Sequence, residues 1–290
     1  MKWLITGGSG QLGLAIQKSL VSRGIDFVVP RSSELDITKP LEVNRWVDYI
    51  KPSVVINAAA YTDVDSAETD RATAWKVNVD GARNLALAAK ANGAVFAQIS
   101  TDYVFSGTSN APYKENDSTA PFNYYGETKA ASEQCVTDLY SENSYVFRTA
   151  WLYSSFRKNF AKTIAQKAIK GEKVSVVNDQ IGQPTFVNDV AEQVINSVVK
   201  EIPFGFYHTT NSGAVSWFDF AREIYSSVGT KIEFVEPVSS NDYLSTARRP
   251  RYSVLAHSRW TIVGMDEMRN WKLALNEAIP SIIFTIKNEE

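Results

Sequence analysis

Three glycines, Gly7, Gly10 and Gly13, stand between a short apolar run and a longer amphipathic one, and that placement constrains the fold more than any other feature. Trp3-Leu4-Ile5 reads as a strand, and Leu12 to Ser22 reads as a helix with apolar positions at Leu12, Ala15, Ile16 and Leu20. Glycine permits the tight strand-to-helix turn and lets the backbone approach a pyrophosphate, which then sits against the helix N-terminal amides. The last glycine of such a triplet lets the helix pack closely on its strand. A glycine-rich turn without function has the same composition. Its position at the first strand-to-helix turn of an α/β pattern is what favours dinucleotide binding.

The alternation continues through the first half of the chain. Phe27-Val28-Val29, Val54-Val55-Ile56, Val95 to Ile99 and Tyr145 to Phe147 read as strands, and Ala82 to Ala91 as a helix. Continuous apolar strands separated by helices predict a parallel sheet covered on both faces, a doubly wound, Rossmann-like α/β fold. The pattern loosens after about Trp151. There Val174 to Val177 and Ile232 to Val235 read as isolated strands, Ala191 to Val199 and Trp217 to Val228 as helices. Phe206 to Thr210 reads as a strand returning to the main sheet. The expected division is a NAD(P)-binding domain over residues 1–151, with a returning segment near 187–212, and a smaller, mainly substrate-binding α+β lobe over 152–290.

Composition narrows the partners. The 290 residues carry a formal net charge of -2 and no Lys/Arg block, which argues against a nucleic-acid partner. No run approaches the ~20 apolar residues of a membrane span, and the apolar run after Lys2 is too short for a signal peptide. The single cysteine, Cys135, excludes an intramolecular disulfide and a Cys-based zinc cluster. A cytoplasmic protein is expected.

Two further segments carry chemistry. A ribose-binding carboxylate is expected ~20 residues beyond the glycines, yet the second strand runs into Pro30-Arg31-Ser32-Ser33. Arg31 there could pair with a 2′-phosphate or be a solvated loop residue, so NADPH is at least tolerated beside NADH. Tyr125 and Lys129 are four apart at the start of a helical run and share one face. An ammonium near a phenol is expected to lower its pKa and make it a usable acid/base. Thr101 follows the strand Val95 to Ile99, so its hydroxyl is expected at the carboxyl end of the sheet, where open α/β folds bind ligands. Each signal alone has a bland alternative: a surface helix pair for Tyr125 and Lys129, a cap for Thr101.

Together with Asn57-Ala58-Ala59-Ala60-Tyr61-Thr62, Asn78-Val79-Asp80-Gly81, Ser100 to Phe105 and Tyr125-Gly126-Glu127-Thr128-Lys129, the glycine triplet resembles the extended short-chain dehydrogenase/reductase family. Arg148 to Tyr153, Asn159-Phe160-Ala161, Asn178 to Thr185 and Ala247-Arg248-Arg249-Pro250 are similar to its reductases of dTDP-linked 4-keto sugars, and the resemblance covers nearly the whole chain. It implies NADPH- or NADH-dependent reduction of the C4 keto group of dTDP-4-dehydro-β-L-rhamnose to dTDP-L-rhamnose, a deoxysugar for surface polysaccharide. It implies Tyr125 as proton donor, Lys129 as its tuner and ribose ligand, and Thr101, Asp102, Trp151 and Arg249 against the substrate. Gly7, Gly10, Gln11, Leu12 and Gly13 would face the pyrophosphate, Asp36 and Ile37 the adenine, and Ala60, Tyr61, Thr62 and Asn78 the rest of the cofactor side.

Some relatives in that group hold Mg²⁺ at a dimer interface through glutamates, where this chain has Ala15 and Asn188. A hard cation needs oxygen ligands, preferably carboxylates. No metal site, and a monomer rather than a metal-bridged dimer, are therefore expected. Other readings are a reductase of another dTDP-4-keto sugar, a sugar epimerase or dehydratase, and a non-catalytic regulatory subunit of the same fold. The Thr101, Tyr125 and Lys129 set weighs against the last.

Overall fold

The computed structural model describes residues 2–242 and 245–289. The first half alternates β1 (Lys2–Thr6), α1 (Gln11–Ser22), β2 (Asp26–Val28), α2 (Pro40–Ile50) and β3 (Val54–Asn57). Short helices α3 (Val64–Ala67) and α4 (Arg71–Trp75) then lead through a π-helical turn (Lys76–Asp80) into α5 (Gly81–Ala91). β4 (Val95–Thr101), α6 (Tyr124–Tyr140) and β5 (Ser144–Thr149) complete that half. Beyond them lie β6 (Leu152–Tyr153), α7 (Phe160–Ile169), β7 (Val174–Val177), β8 (Ile181–Gly182), β9 (Thr185–Phe186) and α8 (Val187–Val199). The chain ends through β10 (Gly205–His208), β11 (Val215–Ser216), α9 (Trp217–Val228), β12 (Val235–Val238), α10 (Ser258–Ile262) and α11 (Trp271–Glu289).

Six strands form one parallel sheet in the order β10-β5-β4-β3-β1-β2. Successive side chains of a strand leave opposite faces, and both faces here are apolar. Trp3 and Ile5 of β1 join a core with Leu12, Ile16 and Leu20 of α1 and Val190 and Val194 of α8. Leu4 between them joins the other core with Val43 and Val47 of α2, Leu85 of α5 and Val136 of α6. Helices on both faces make the sheet doubly wound, as expected. The chain reverses direction across the sheet between β1 and β3, which opens a crevice above their carboxyl ends.

A third core holds α7, α9 and α11 together through Ile164, Phe220, Ile224, Trp271 and Ile282. Three two-stranded sheets, β12 with β7, β11 with β8 and β6 with β9, border that core. One expected strand is corrected here. Ile232 to Phe234 form a 3₁₀ turn, closed by the Phe234 amide donating to the Lys231 carbonyl at 3.2 Å, and pairing with β7 starts only at Val235. Ile232 and Phe234 pack on the third core from the turn, and a short apolar run of this kind does not by its pattern separate a strand from a helical turn. Among the described residues no helix is long and apolar enough to cross a membrane.

Candidate active site

A cavity of about 1100 Å³ opens above the carboxyl ends of β1 and β4, lined on one side by residues 7 to 13. Gly7 takes φ +71°, and a Cβ there would stand 2.4 Å from the Ala58 carbonyl. A Cβ on Gly13 would stand 2.3 Å from the Gly7 carbonyl oxygen, so a side chain would push α1 off its own turn. α1 starts at Gly10 with no side-chain cap and no acidic residue in its first turn. An uncapped helix terminus facing a cavity keeps its partial positive charge for an anion. These residues fit a dinucleotide pyrophosphate.

Exposed cations reach the same space. Arg157 and Lys158 line it from the segment between β6 and α7, and Arg157 Nε donates to the Ser9 carbonyl at 2.9 Å. Arg31 lines the far end with Asp36 and Ile37. Asp36 is partly committed to its own turn, accepting from the Thr38 amide at 3.0 Å and hydroxyl at 2.7 Å. Burial opposes its ionisation, but those hydrogen bonds and Lys39 hold it below the usual carboxylate range. Ile37 packs over Gly81, where a Cβ would meet it at 2.6 Å.

β4 runs past its apolar core to end on Thr101, and α6 opens under an Asn123 cap whose Oδ1 accepts from the Gly126 amide at 2.8 Å. Thr101, Asp102, Tyr125 and Lys129 thereby line one cavity. The Lys129 Nζ is spent on the Ile99 carbonyl at 2.6 Å. Burial lowers its amine to about 8, and the Glu133 carboxylate acts in the opposite sense. The Tyr125 phenol is pushed well up, by burial first and by the Asp102 charge second, while the Thr101 hydroxyl pulls it down. The expected lowering of this phenol by Lys129 is therefore corrected: desolvation outweighs an ammonium already turned to a carbonyl. Desolvation also pushes Asp102 up to about 6, against hydrogen bonds from Ser253 and Thr101, whose hydroxyl donates to Oδ1 at 3.0 Å.

Trp151 and Trp217 form the opposite wall, stacked with centroids 3.5 Å apart and 9° between planes. Trp151 takes φ 47°, and Gly182 lies against its ring where a Cβ would come within 2.5 Å.

Comparison with known proteins gives the same picture. The family described as RmlD substrate binding domain matches residues 1–283. The chain is 40% identical over 285 residues to dTDP-4-dehydrorhamnose reductase of Streptomyces griseus, spanning 97% of this chain and 94% of that one. The chain belongs to the dTDP-4-dehydrorhamnose reductase family. A dTDP-4-keto-6-deoxy-D-glucose reductase of Streptomyces niveus is 38% identical over 279 residues, spanning 96% of each chain. The crystal structure of dTDP-4-dehydrorhamnose reductase from Bacillus anthracis in complex with NADP superposes with a TM-score of 0.93 at 38% identity, covering 96% of this chain and 98% of that one.

In this member of the reductase family most of the residues singled out in the sequence meet at the cavity: the glycines, Gln11, Leu12, Arg31, Asp36, Ile37, Ala60, Thr62, Thr101, Asp102, Tyr125, Lys129 and Trp151. Tyr61, Asn78 and Arg249 stand behind its wall. Asn78 is buried, accepts from the Tyr61 amide at 2.8 Å and donates to Thr128 Oγ1 at 2.9 Å, pinning the loop after β3 to α6. Arg249 is paired to Asp65 at 2.6 Å and acts electrostatically on Tyr103, which meets Tyr125 edge-on. Gln11 Oε1 accepts from Ser154 Oγ at 2.7 Å and Asn159 Nδ2 at 2.9 Å, so its side chain ties the glycine turn to the segment between β6 and α7.

Several residues of the reductase site carry no predicted site role in the sequence. Thr6 donates to Asn57 Oδ1 at 2.7 Å, Asn57 to Gln98 Oε1 at 2.8 Å, and Gln98 to the Ile99 carbonyl at 3.0 Å. This buried ladder crosses three strands and ends on the carbonyl that receives Lys129. Its signal was available: a polar residue near the carboxyl end of each of three apolar strands. Trp217, Arg157 and Lys158 had no comparable signal.

Proposed function

We propose that this protein reduces the C4 keto group of a dTDP-linked 4-keto-6-deoxy sugar, dTDP-4-dehydro-β-L-rhamnose first among them, using NADPH or NADH. The observation that carries the reading is the meeting, in one cavity, of an uncapped glycine-turn helix terminus with Thr101, Tyr125 and Lys129. The glycine turn and the first amides of α1 would hold the pyrophosphate, Lys129 the nicotinamide ribose, and Arg31 a 2′-phosphate. When bound, the nicotinamide supplies a hydride to the sugar carbon. Tyr125 gives the keto oxygen its proton, Thr101 orients that oxygen, and Lys129 carries a compensating charge. The stacked face of Trp151 borders the sugar.

The relative named for dTDP-4-keto-6-deoxy-D-glucose keeps a second sugar in view. A panel of dTDP-4-keto sugars, with product stereochemistry read by NMR, decides between them. Stoichiometric oxidation of NADPH with one sugar turned over supports the reductase; turnover without net oxidation would replace it with an epimerase.

Cofactor choice follows from charge. NADPH is expected to serve at least as well as NADH, because Arg31 lines the cavity and no carboxylate ends β2. Arg31→Ala is expected to raise the KM for NADPH by about tenfold, the weight of one charged hydrogen bond, and to leave that for NADH alone. An unchanged ratio of the two clears Arg31.

The reaction is expected to proceed without a divalent metal in a monomer. Ala15 is buried in the core that α1 shares with α8, and Asn188 on α8 offers no charge. Glu192 of α8 is engaged by Ser19 at 2.5 Å and by Arg23. Assay and sedimentation with and without EDTA check both points. Activity or a dimer that disappears on chelation would show a site rebuilt from other residues.

A further inference from the structure

The catalytic helix carries a second charged group that the proposed reaction does not use. Glu133 follows Lys129 by one turn of α6, so the two share a face, and each is 2% exposed. Both Glu133 oxygens are taken by Arg148 of β5, Nε to Oε1 at 2.9 Å and Nη2 to Oε2 at 2.8 Å. The guanidinium lies 4.8 Å from the Phe105 ring centroid and 4.7 Å from that of Phe206. Its Nη1 donates to the Glu115 carbonyl at 3.1 Å and lies 3.3 Å from His208 Nε2. Burial, with Arg148 beside it, keeps His208 neutral, and its Nδ1 meets the Ala256 carbonyl at 3.0 Å, leaving Nε2 to accept.

A buried ion pair is a weak source of stability in itself. This one is fixed from several sides, with its carboxylate one turn behind a buried amine. We infer that Glu133, held in place by Arg148, is a positioning residue that keeps Lys129 an ammonium at the Ile99 carbonyl. The geometry stands independently of the proposed function; the consequence for turnover rests on the reductase reading.

The surrounding charges leave Glu133 in that role. Burial depresses the Lys129 amine, and Glu133 is the group that raises it. On the turn after β4, Asp102 and Tyr103 act on Tyr125. Arg71 of α4 lies over Tyr124, Asp65 of α3 is paired to Arg249, and Glu68 accepts from the Tyr124 amide. Arg83 of α5 and Asp80 of the π turn act on Cys135, and Arg148 is spent on Glu133. Without Glu133, desolvation of the amine goes unanswered and its proton is lost at lower pH.

The test reads Lys129 directly. Cofactor-free protein is treated with acetic anhydride over a pH series, and acetylation of Lys129, which only the neutral amine undergoes, is followed by peptide mass spectrometry. In Glu133→Gln the labelling midpoint is expected to fall by about one pH unit or more. The alkaline limb of the kcat profile should fall with it, while kcat at the acid end stays within a few-fold. Glu133→Asp should restore both. If Glu133→Gln does not fold, Glu133→Gln with Arg148→Met removes both charges together and should show a smaller fall in the same direction, because the opposing Arg148 charge goes with it.

An unmoved midpoint in either folded variant overturns the inference. A lowered midpoint with an unmoved alkaline limb also overturns it, because the charge would then have no bearing on turnover. A lowered midpoint in a protein that turns over no keto sugar at all leaves Glu133 in its place and removes the reductase reading instead.

Discussion

Tyr125→Phe is expected to lower kcat by about 10²–10⁴-fold, the usual contribution of a positioned general acid, while NADPH still binds. The phenylalanine keeps the ring and its edge contact with Tyr103, at 5.9 Å between centroids and 76° between planes, so the wall of the cavity survives. What disappears is the hydroxyl that the Thr101 side chain faces. The rival acid is Asp102, buried beside Thr101 and pushed up to about 6. That carboxyl is pushed toward neutral pH and so exchanges its proton there, whereas the phenol, pushed upward by burial, holds its own. The phenol therefore carries a proton throughout the neutral range, beside the Thr101 hydroxyl. Steady-state kcat and cofactor binding by NADPH fluorescence check both halves. A Tyr125→Phe enzyme within about tenfold of the parent, beside an inactive Asp102→Asn, would pass the role of acid to Asp102.

The strands of the main sheet were legible because burial on both faces makes them continuously apolar. Their ends were not. The apolar run of β4 ends at Ile99, yet the strand runs to Thr101, because Ser100 and Thr101 pair in register with Arg148 and Thr149 of β5. Backbone pairing carries polar residues into a strand there, and no apolar pattern marks it. α2, α7 and α11 have no predicted helix in the sequence. α2 did carry a start signal, Pro40 in its first turn, but it buries little beyond Val43 and Val47. α11 holds Pro280 in its interior and is apolar around much of its girth, which blurs the period that marks an amphipathic helix.

The site divides in the same way. The glycine turn and the Tyr125–Lys129 pair are local, so spacing alone exposed them. Asn78 reaches Tyr61 over 17 residues, Arg249 reaches Asp65 over 184, and Gln11 reaches Asn159 over 148, so their pinning roles depend on the tertiary fold. The state of the Tyr125 phenol belongs to the same class. Spacing shows an ammonium one turn away, but the desolvation that outweighs it depends on what covers the cavity.

Arg148→Met is expected to destabilise the fold by about 3–5 kcal/mol, the cost of leaving one member of a buried pair uncompensated. At roughly 2–4 °C per kcal/mol for a chain of this size, the melting temperature should fall by about 6–20 °C. The Arg148 and Glu133 side chains are each 3% exposed, so water cannot replace the lost partner. Lys129, one turn back on α6, is a cation that Glu133 could turn to, but its ammonium is already bound to Ile99, and meeting it would forfeit that bond. The loss has a pH signature. An orphaned buried carboxylate is relieved by taking up a proton, so the deficit should be smaller at about pH 5 than at about pH 8. Parent and variant are compared by thermal unfolding at both values. Adding Glu133→Gln to Arg148→Met removes the orphaned charge and should recover most of the stability at the higher pH, because replacing a buried pair outright costs far less than halving it. A single variant as stable as the parent at both pH values would mean that Glu133 finds another partner, and the ion pair would then not anchor β5 to α6.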